Sequence, residues 1–206
     1  MSAAVILSAG SSTRFGGFPK SRLRIGDETA VHRTARIAIE GAFSPTVIVA
    51  GLHVDEISLD LRDLDVVVFH HKDWSLGRTG SVQAGLTVAG TESDILLWPV
   101  DHPFVEAKTL RLLEEASMRD SLGVWFVPTF QGRGGHPVLL RPPVFGALSN
   151  LSPSAPLRGL LPSFGPQVLR VVVDDPGVVA NVDTPEDYDR LAREWRNRQE
   201  ARWTVD

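Results

Sequence analysis

Cysteine is absent from the 206 residues. That absence excludes disulfides, thiolate metal sites and cysteine nucleophiles, and it is compatible with a reducing cytosol. Surplus positive charge is missing too: 21 Lys and Arg stand against 25 Asp and Glu, a net charge of −4. The chain is therefore no general polycation for nucleic acid, and any anion must be recognised locally. No apolar run is long enough to span a bilayer, and the start of the chain lacks the basic region and long apolar core of a signal peptide. The expectation is a cytoplasmic protein that engages neither nucleic acid nor membrane. Linkers, repeats and low-complexity segments are lacking as well, so residues 1–206 are expected to form one domain. Hydrophobic and charged fractions of 43% and 22% are ordinary for a globular chain. Lysine is scarce, occurring only as Lys20, Lys72 and Lys108.

One of those lysines closes the stretch around which the chain is organised. Val5-Ile6-Leu7 is the end of a short apolar run that stops abruptly at Ser8-Ala9-Gly10-Ser11-Ser12-Thr13-Arg14, and Phe15-Gly16-Gly17-Phe18-Pro19 leads on to Lys20. The apolar run is too short for an independent helix and reads as a fully buried strand. The loop after it has little bulk near the backbone, so its N–H groups can converge on an anion, with Arg14 and Lys20 adding positive charge. That is chemistry for holding a polyphosphate. A Walker A loop is excluded, because Pro19 and Arg14 stand where its glycines are needed. A dinucleotide fingerprint is excluded too: Ser11 and Ser12 follow Gly10, and Pro19 opposes a helix through the loop.

Apolar runs of strand length recur with helical patterns between them. Strands are expected at Ala4–Ser8, Thr46–Ala50, Val66–Phe69, Ile95–Pro99, Val124–Pro128, Pro137–Leu140 and Val168–Val173. Helices are expected at about Thr29–Glu40, Val54–Arg62, Ser81–Val88 and Glu106–Arg119. The alternation predicts an α/β fold, a mostly parallel twisted sheet with helices on both faces. The glycine-rich Gly132–Pro137 segment reads as a hairpin insertion instead of another crossover. Pro142-Pro143 and Ser152–Pro156 are expected to be irregular, the kind of insertion where a second substrate sits. Thr184 caps a last helix with Pro185 at its first position, and Tyr188, Leu191, Ala192 and Trp195 share one face, read as core packing.

Candidate chemistry concentrates at strand ends. Asp101 follows the apolar run Ile95–Val100, where open α/β sheets bind ligands, but an Asp-x-Pro turn explains Asp101-His102-Pro103 equally well. Helix capping accounts for Thr184 to Asp187 and leaves Asp183 unexplained. Trp74-Ser75-Leu76-Gly77-Arg78-Thr79-Gly80-Ser81 reads as a glycine-rich turn with Ser81 as cap. His70 and His71 are neighbours on a strand, so one points inward and the other outward, not both at a metal. No Ser-His-Asp relation follows from the spacing.

The pattern L-x-A-G-x-S-x-R-x-G followed by Pro-Lys resembles the nucleotidyltransferases that share a glycosyltransferase-A-like, Rossmann-like nucleotide-diphospho-sugar transferase fold. It is most similar to the MobA-like branch of molybdenum cofactor cytidylyl- and guanylyltransferases, and the similarity spans nearly the whole chain. The resemblance implies a magnesium-dependent enzyme that moves a nucleoside monophosphate from a nucleoside triphosphate, CTP favoured, to a small phosphorylated acceptor, releasing pyrophosphate. It implies Arg14, Lys20 and Asp101 as catalytic residues. Ser8, Ala9, Gly10, Ser11, Ser12, Arg14, Lys20, Gly80 and Ser81 are then nucleotide-binding. The D-x-P and D-T-P-E-D elements imply Asp101 and Asp183 as the Mg2+ ligands, with Asn181 as the alternative to Asp183. The G-H-P turn implies Gly135 and His136 on the acceptor side. Three departures stand out: Ser8 replaces a small apolar residue, the loop reaches Lys20 through an extra residue and Pro19, and Ser154-Ala155-Pro156-Leu157-Arg158 stands where G-D-x-G-x-R is expected. Molybdopterin is accordingly the first acceptor to consider and a sugar or polyol phosphate the second. The rival classes are a Rossmann-type oxidoreductase and a non-catalytic nucleotide-binding module.

Overall fold

The computed structural model describes residues 2–203, with side chains described through Ala201. Met1 and residues 204–206, part of the expected single domain, lie outside the described residues. The strands in chain order are β1 (Ala3–Ser8), β2 (Arg24–Ile25), β3 (Glu28–Thr29), β4 (Thr46–Ala50), β5 (Val67–His70), β6 (Ile95–Pro99), β7 (Trp125–Phe130), β8 (Arg133–Gly134), β9 (Val138–Leu140) and β10 (Val168–Val172). The helices are α1 (Ala30–Glu40), α2 (Val54–Asp60), α3 (Arg78–Ala89), α4 (Ala107–Arg119), α5 (Pro142–Ser149), α6 (Leu161–Phe164) and α7 (Pro185–Trp203). The main sheet runs β10-β7-β9-β6-β1-β4-β5, with β8 pairing beside β7. Pairings β1–β4, β1–β6, β4–β5 and β7–β10 are parallel, and within this sheet only β8 and β9 run against their neighbours, while β2 and β3 form a separate antiparallel pair. The expected mostly parallel α/β sheet is therefore present.

Why β1 is apolar up to Ser8 follows from its place. It lies between β4 and β6 and is covered on both faces, so alternate residues feed different cores. Ala4 and Ile6 join the side packed by α1, α4 and α7, while Ala3, Val5 and Leu7 face α3 and α5. The order of strands reverses at β1: the chain goes outward through β4 and β5, then returns to β6 on the other flank. Open α/β sheets bind ligands beyond the carboxyl ends of strands at such a point. The segments leaving β1 and β6 carry Gly10–Lys20 and Asp101.

The hairpin is present, with its tight turn at Gln131-Gly132 between β7 and β8 (Phe130 opposite Arg133), one step earlier than expected. Two local expectations are corrected. Pro142-Pro143 opens a helix: proline suits the first helical turn, and Val144, Phe145 and Leu148 give α5 a buried face. Its 8 residues are too few to show a clear helical period. Ser81 is not a cap but lies inside α3, which begins at Arg78 after Gly77. In α7 the capping is as expected: the Asp187 N–H donates to Thr184 Oγ1 (3.2 Å), and Asp187 Oδ2 accepts from the Thr184 N–H (3.1 Å). Leu191 and Ala192 are buried, with Tyr188 and Trp195 packed against the same core. His70 is exposed and His71 half-buried, one outward and one inward. Among the described residues no helix is long and apolar enough to cross a membrane.

Candidate functional site

A cavity of about 460 Å³ opens at the carboxyl ends of β1 and β6. Ser8, Ala9, Gly10, Ser11, Ser12, Arg14 and Lys20 line one side, and Asp101, Asp183 and Ser81 line it elsewhere. The loop holds its shape through Ser12, whose φ of 50° turns the chain and whose Oγ accepts the Lys20 N–H at 3.0 Å. The short turn Thr13–Phe15 then projects Arg14 outward, its side chain 68% exposed. Among the described residues, no backbone carbonyl takes the N–H groups of Gly10, Ser11 or Ser12. Ser8 Oγ is buried without a hydrogen-bond partner. The loop thus presents donors and cations to one opening, the requirement for holding a polyphosphate.

Tertiary packing also brings two sequence-distant aspartates to this cavity. The Val182 N–H donates to Asp101 O at 2.8 Å, laying the segment before α7 beside the end of β6. Lys20 Nζ donates to Val182 O (2.8 Å) and Asp183 Oδ1 (2.9 Å), and Arg14 lies 3.8 Å from the same oxygen. Asn181 Nδ2 donates to Asp183 Oδ2 at 2.7 Å. Asp101 Oδ1 meets His102 Nδ1 at 2.9 Å, and Arg78 stands 3.7 Å from Oδ2. Burial works against the charged form of Asp101, yet the His102 hydrogen bond and the positive charges around it prevail and hold its pKa below the ordinary value.

Beyond Asp101 and Arg78, which border both, lies a second cavity of about 870 Å³. Gly135 and His136 line it, as does the Ser154–Arg158 segment. Gly135 is fixed by a close approach: a Cβ there would stand 2.0 Å from Val178 O. The next N–H, of His136, donates to that same carbonyl at 2.9 Å. The His136 ring meets His102 edge-on at 5.0 Å between centroids, and its Nδ1 is buried without a partner. Burial lowers its pKa to about 3, assisted by His102, so the ring is neutral at pH 7.

Gly80 is the one nucleotide-binding candidate outside both linings, because its N–H goes to Pro153 O at 3.2 Å and it packs on Pro153. Trp74, Ser75 and Arg78, from the same turn, do line the first cavity. His53 lines it as well, a residue for which sequence reasoning had no signal beyond its place after a strand. Arg133 and Arg170 of the second cavity carried no functional signal either, since isolated surface arginines are unremarkable in sequence, and Arg158 entered only as the end of the segment that stands where G-D-x-G-x-R is expected.

Hard oxygen donors with orienting neighbours are what a divalent cation requires. Asp101 and Asp183 supply them, oriented by His102 and Asn181. Among the described residues no group of three or more His, Asp or Glu could hold an ion unaided. A metal would draw its remaining ligands from phosphate and water, so the residues fit magnesium or a similar hard ion. Lys20 already sits against one oxygen of Asp183 and would share that carboxylate with the ion.

A mostly parallel α/β sheet with a cation-bearing glycine and serine loop at its switch point defines a nucleotide-handling protein of the NTP transferase type. The MobA-like NTP transferase domain model matches residues 4–169, and the chain belongs to that family. The Rv0371c homologue of Mycobacterium sp. strain JC1 superposes with a TM-score of 0.78 at 28% identity, covering 95% of this chain and 96% of that one. Rv0371c of Mycobacterium tuberculosis H37Rv in complex with manganese gives 0.70 at 25% identity, covering 93% and 97%. Nicotine blue oxidoreductase of Paenarthrobacter nicotinovorans is 35% identical over 112 residues, 53% of this chain and 54% of that protein. The chain thus matches about half the length of that curated relative.

Proposed function

We propose that the chain, as one domain over residues 1–206, is a cytoplasmic divalent-metal-dependent nucleotidyltransferase. It moves a nucleoside monophosphate, CTP being the favoured donor and magnesium the favoured ion, onto a phosphorylated acceptor. The observation that carries this reading is the meeting of the Gly10–Lys20 loop, Asp101 and Asp183 around one cavity that adjoins a second through Asp101. The family match supports the same reaction class.

In this reading an acceptor phosphate oxygen bonds to the α-phosphorus of the triphosphate, the bond to the bridging oxygen breaks, and pyrophosphate leaves with that electron pair. Such transfer depends on positioning and charge neutralisation. The unpartnered N–H groups of Gly10, Ser11 and Ser12 bind the triphosphate, and Arg14 and Lys20 offset charge on the leaving group. The acceptor phosphate is already ionised near pH 7, so no general base is needed, in accord with a His136 whose pKa, lowered to about 3, makes it a weak base. Asp101 and Asp183 would hold the cation, which supplies Lewis-acid neutralisation of phosphate charge when bound.

The oxidoreductase name of the 35% identical relative favours a second reading, in which the same loop holds a nicotinamide dinucleotide. One experiment separates the two. The four nucleoside triphosphates are incubated with phosphorylated acceptors, molybdopterin and sugar or polyol phosphates included, and pyrophosphate release and triphosphate binding are followed; parallel samples hold NADH or NADPH with a quinoid dye as the two-electron acceptor, and nicotinamide absorbance is followed. Acceptor-dependent pyrophosphate release supports the transferase. Nicotinamide oxidation with no pyrophosphate would replace it, and triphosphate binding without either signal would leave a non-catalytic module.

A further inference from the structure

We propose that the second cavity takes an acceptor with two anionic ends on a flat, apolar body. One phosphate faces Asp101 and Arg78, and a second anionic group lies among Arg133, Arg158 and Arg170. The proposal rests on the transferase reading above for the identity of the ligand as acceptor.

Charge balance is the first argument. Other arginines that border the sheet and its loops are matched: Arg22 pairs with Asp60 at 2.9 Å, Arg36 with Glu28 at 2.6 Å, and Arg141 with Asp94 at 3.6 Å. The side chains of Arg133, Arg158 and Arg170 have no hydrogen-bond or ion-pair partner among the described residues, and all three line one cavity of a chain with net charge −4. Like charges gathered at one concavity repel, and an anionic ligand relieves that repulsion through charge-assisted bonds.

Their placement follows from the backbone. Arg170 on β10 is the register partner of Val127 on β7, and both line the cavity. A Cβ on Gly134 would stand 3.1 Å from Val127 Cγ1 and 3.4 Å from Arg170 Nη1. The glycine therefore leaves room for the guanidinium to lie across β7, where a larger residue would press on it. Arg133 precedes that glycine on β8, and Arg158 comes from the segment after α5.

The remaining wall gives the body its character. Trp125, Val138, Leu157, Leu161 and Val168 are apolar, and Trp125 Nε1 is buried without a hydrogen-bond partner. A cavity of about 870 Å³ is close to twice the first one, so a small polyol phosphate would leave much of it to water. A neutral polyol end would also leave the guanidinium groups unmatched. A flat ring or fused-ring body with an acidic group at the far end satisfies both the walls and the charges.

The test compares two probes that share a ring and a phosphate. Phenyl phosphate and 4-carboxyphenyl phosphate are titrated calorimetrically into the full chain with magnesium present, and affinities for CTP and the other three nucleoside triphosphates are measured on the same samples. The carboxylated probe should bind roughly tenfold more tightly, the equivalent of one good charged hydrogen bond. Arg158→Gln and Arg170→Gln should each shrink that preference, and together reduce it to about twofold or less. Both arginines are exposed, so the variants should melt as the parent does, and thermal unfolding checks this. Equal binding of the probes, no binding of the carboxylated one at millimolar concentration, or an unchanged preference in the folded double variant would overturn the proposal. CTP binding with no carboxylate preference sinks this proposal alone. A preference retained by a protein that binds no nucleotide supports the anionic pocket and sinks the transferase reading.

Discussion

Replacing Lys20 by Met tests the centre of the mechanism, because the structure gives that side chain two separable jobs. As a tether it donates to Val182 O at 2.8 Å and to Asp183 Oδ1 at 2.9 Å, joining the loop to the segment before α7. As a charge it faces the cavity where the triphosphate is placed. The tether is weakened by solvent: Lys20 is only 18% exposed but Asp183 is 42% exposed, so losing their ion pair costs about 1 kcal/mol or less, and losing the hydrogen bond to Val182 O adds about 1 kcal/mol. In a chain of 206 residues each such loss is a fall of about 2–4 °C in Tm. Losing one preorganised charge from a transition state is larger, on the order of 10²-fold in kcat, or about 2.7 kcal/mol. Met is chosen because it keeps the unbranched stem beside Phe15, whose ring lies 5.6 Å from Nζ. Steady-state pyrophosphate release, CTP affinity and thermal unfolding are measured on the same preparation. The expected pattern is a small loss of stability, a modest loss of affinity and a collapse of kcat. Turnover within about threefold of the parent, in protein that melts normally, would refute the phosphate role and leave Lys20 as a tether only.

Asp101→Asn and Asp183→Asn should each abolish most pyrophosphate release, and the double variant should be little worse than either single one, since groups sharing one ion are strongly non-additive; an active double variant, or full activity in excess chelator, would return both aspartates to turn residues. His136 predicts a pH dependence of stability. Its pKa is lowered in the fold from 6.5 to about 3, so between those values the unfolded chain binds a proton that the folded chain does not. Stability attributable to this ring should be lost as pH falls through that window, by up to about 1.4 kcal/mol per pH unit, and His136→Ala should flatten the slope in denaturant titrations while raising the acceptor KM and leaving CTP affinity unchanged. An equal slope in both proteins, or equal weakening of CTP, would contradict that placement.

Local signals in the chain were enough for most elements. The apolar runs that became β1, β4, β6 and β10 and the helical periods of α1 and α4 are short-range patterns, and hydrophobic burial converts them directly into strands and helices. The α7 cap was equally legible, because Thr184 and Asp187 act within one turn. Where a signal was short or shared, it misled. Pro142-Pro143 resembles a break and is a helix start, and Ser81 resembles a cap because α3 begins three residues earlier than its apolar period does.

By itself, then, the sequence determined the βαβ succession, the loop rich in glycine and serine with its two cations, and the presence of an aspartate at the end of β6. It did so because each depends on residues within a few positions of one another. Only the tertiary structure decided which charges meet. Lys20 and Asp183 are 163 positions apart and form one ion pair because parallel pairing sets β6 beside β1 and the Val182 N–H sets the next segment beside Asp101. The three unpaired arginines share a cavity because β8 and β10 both flank β7 and the segment after α5 closes over them, contacts of long range that no local pattern encodes.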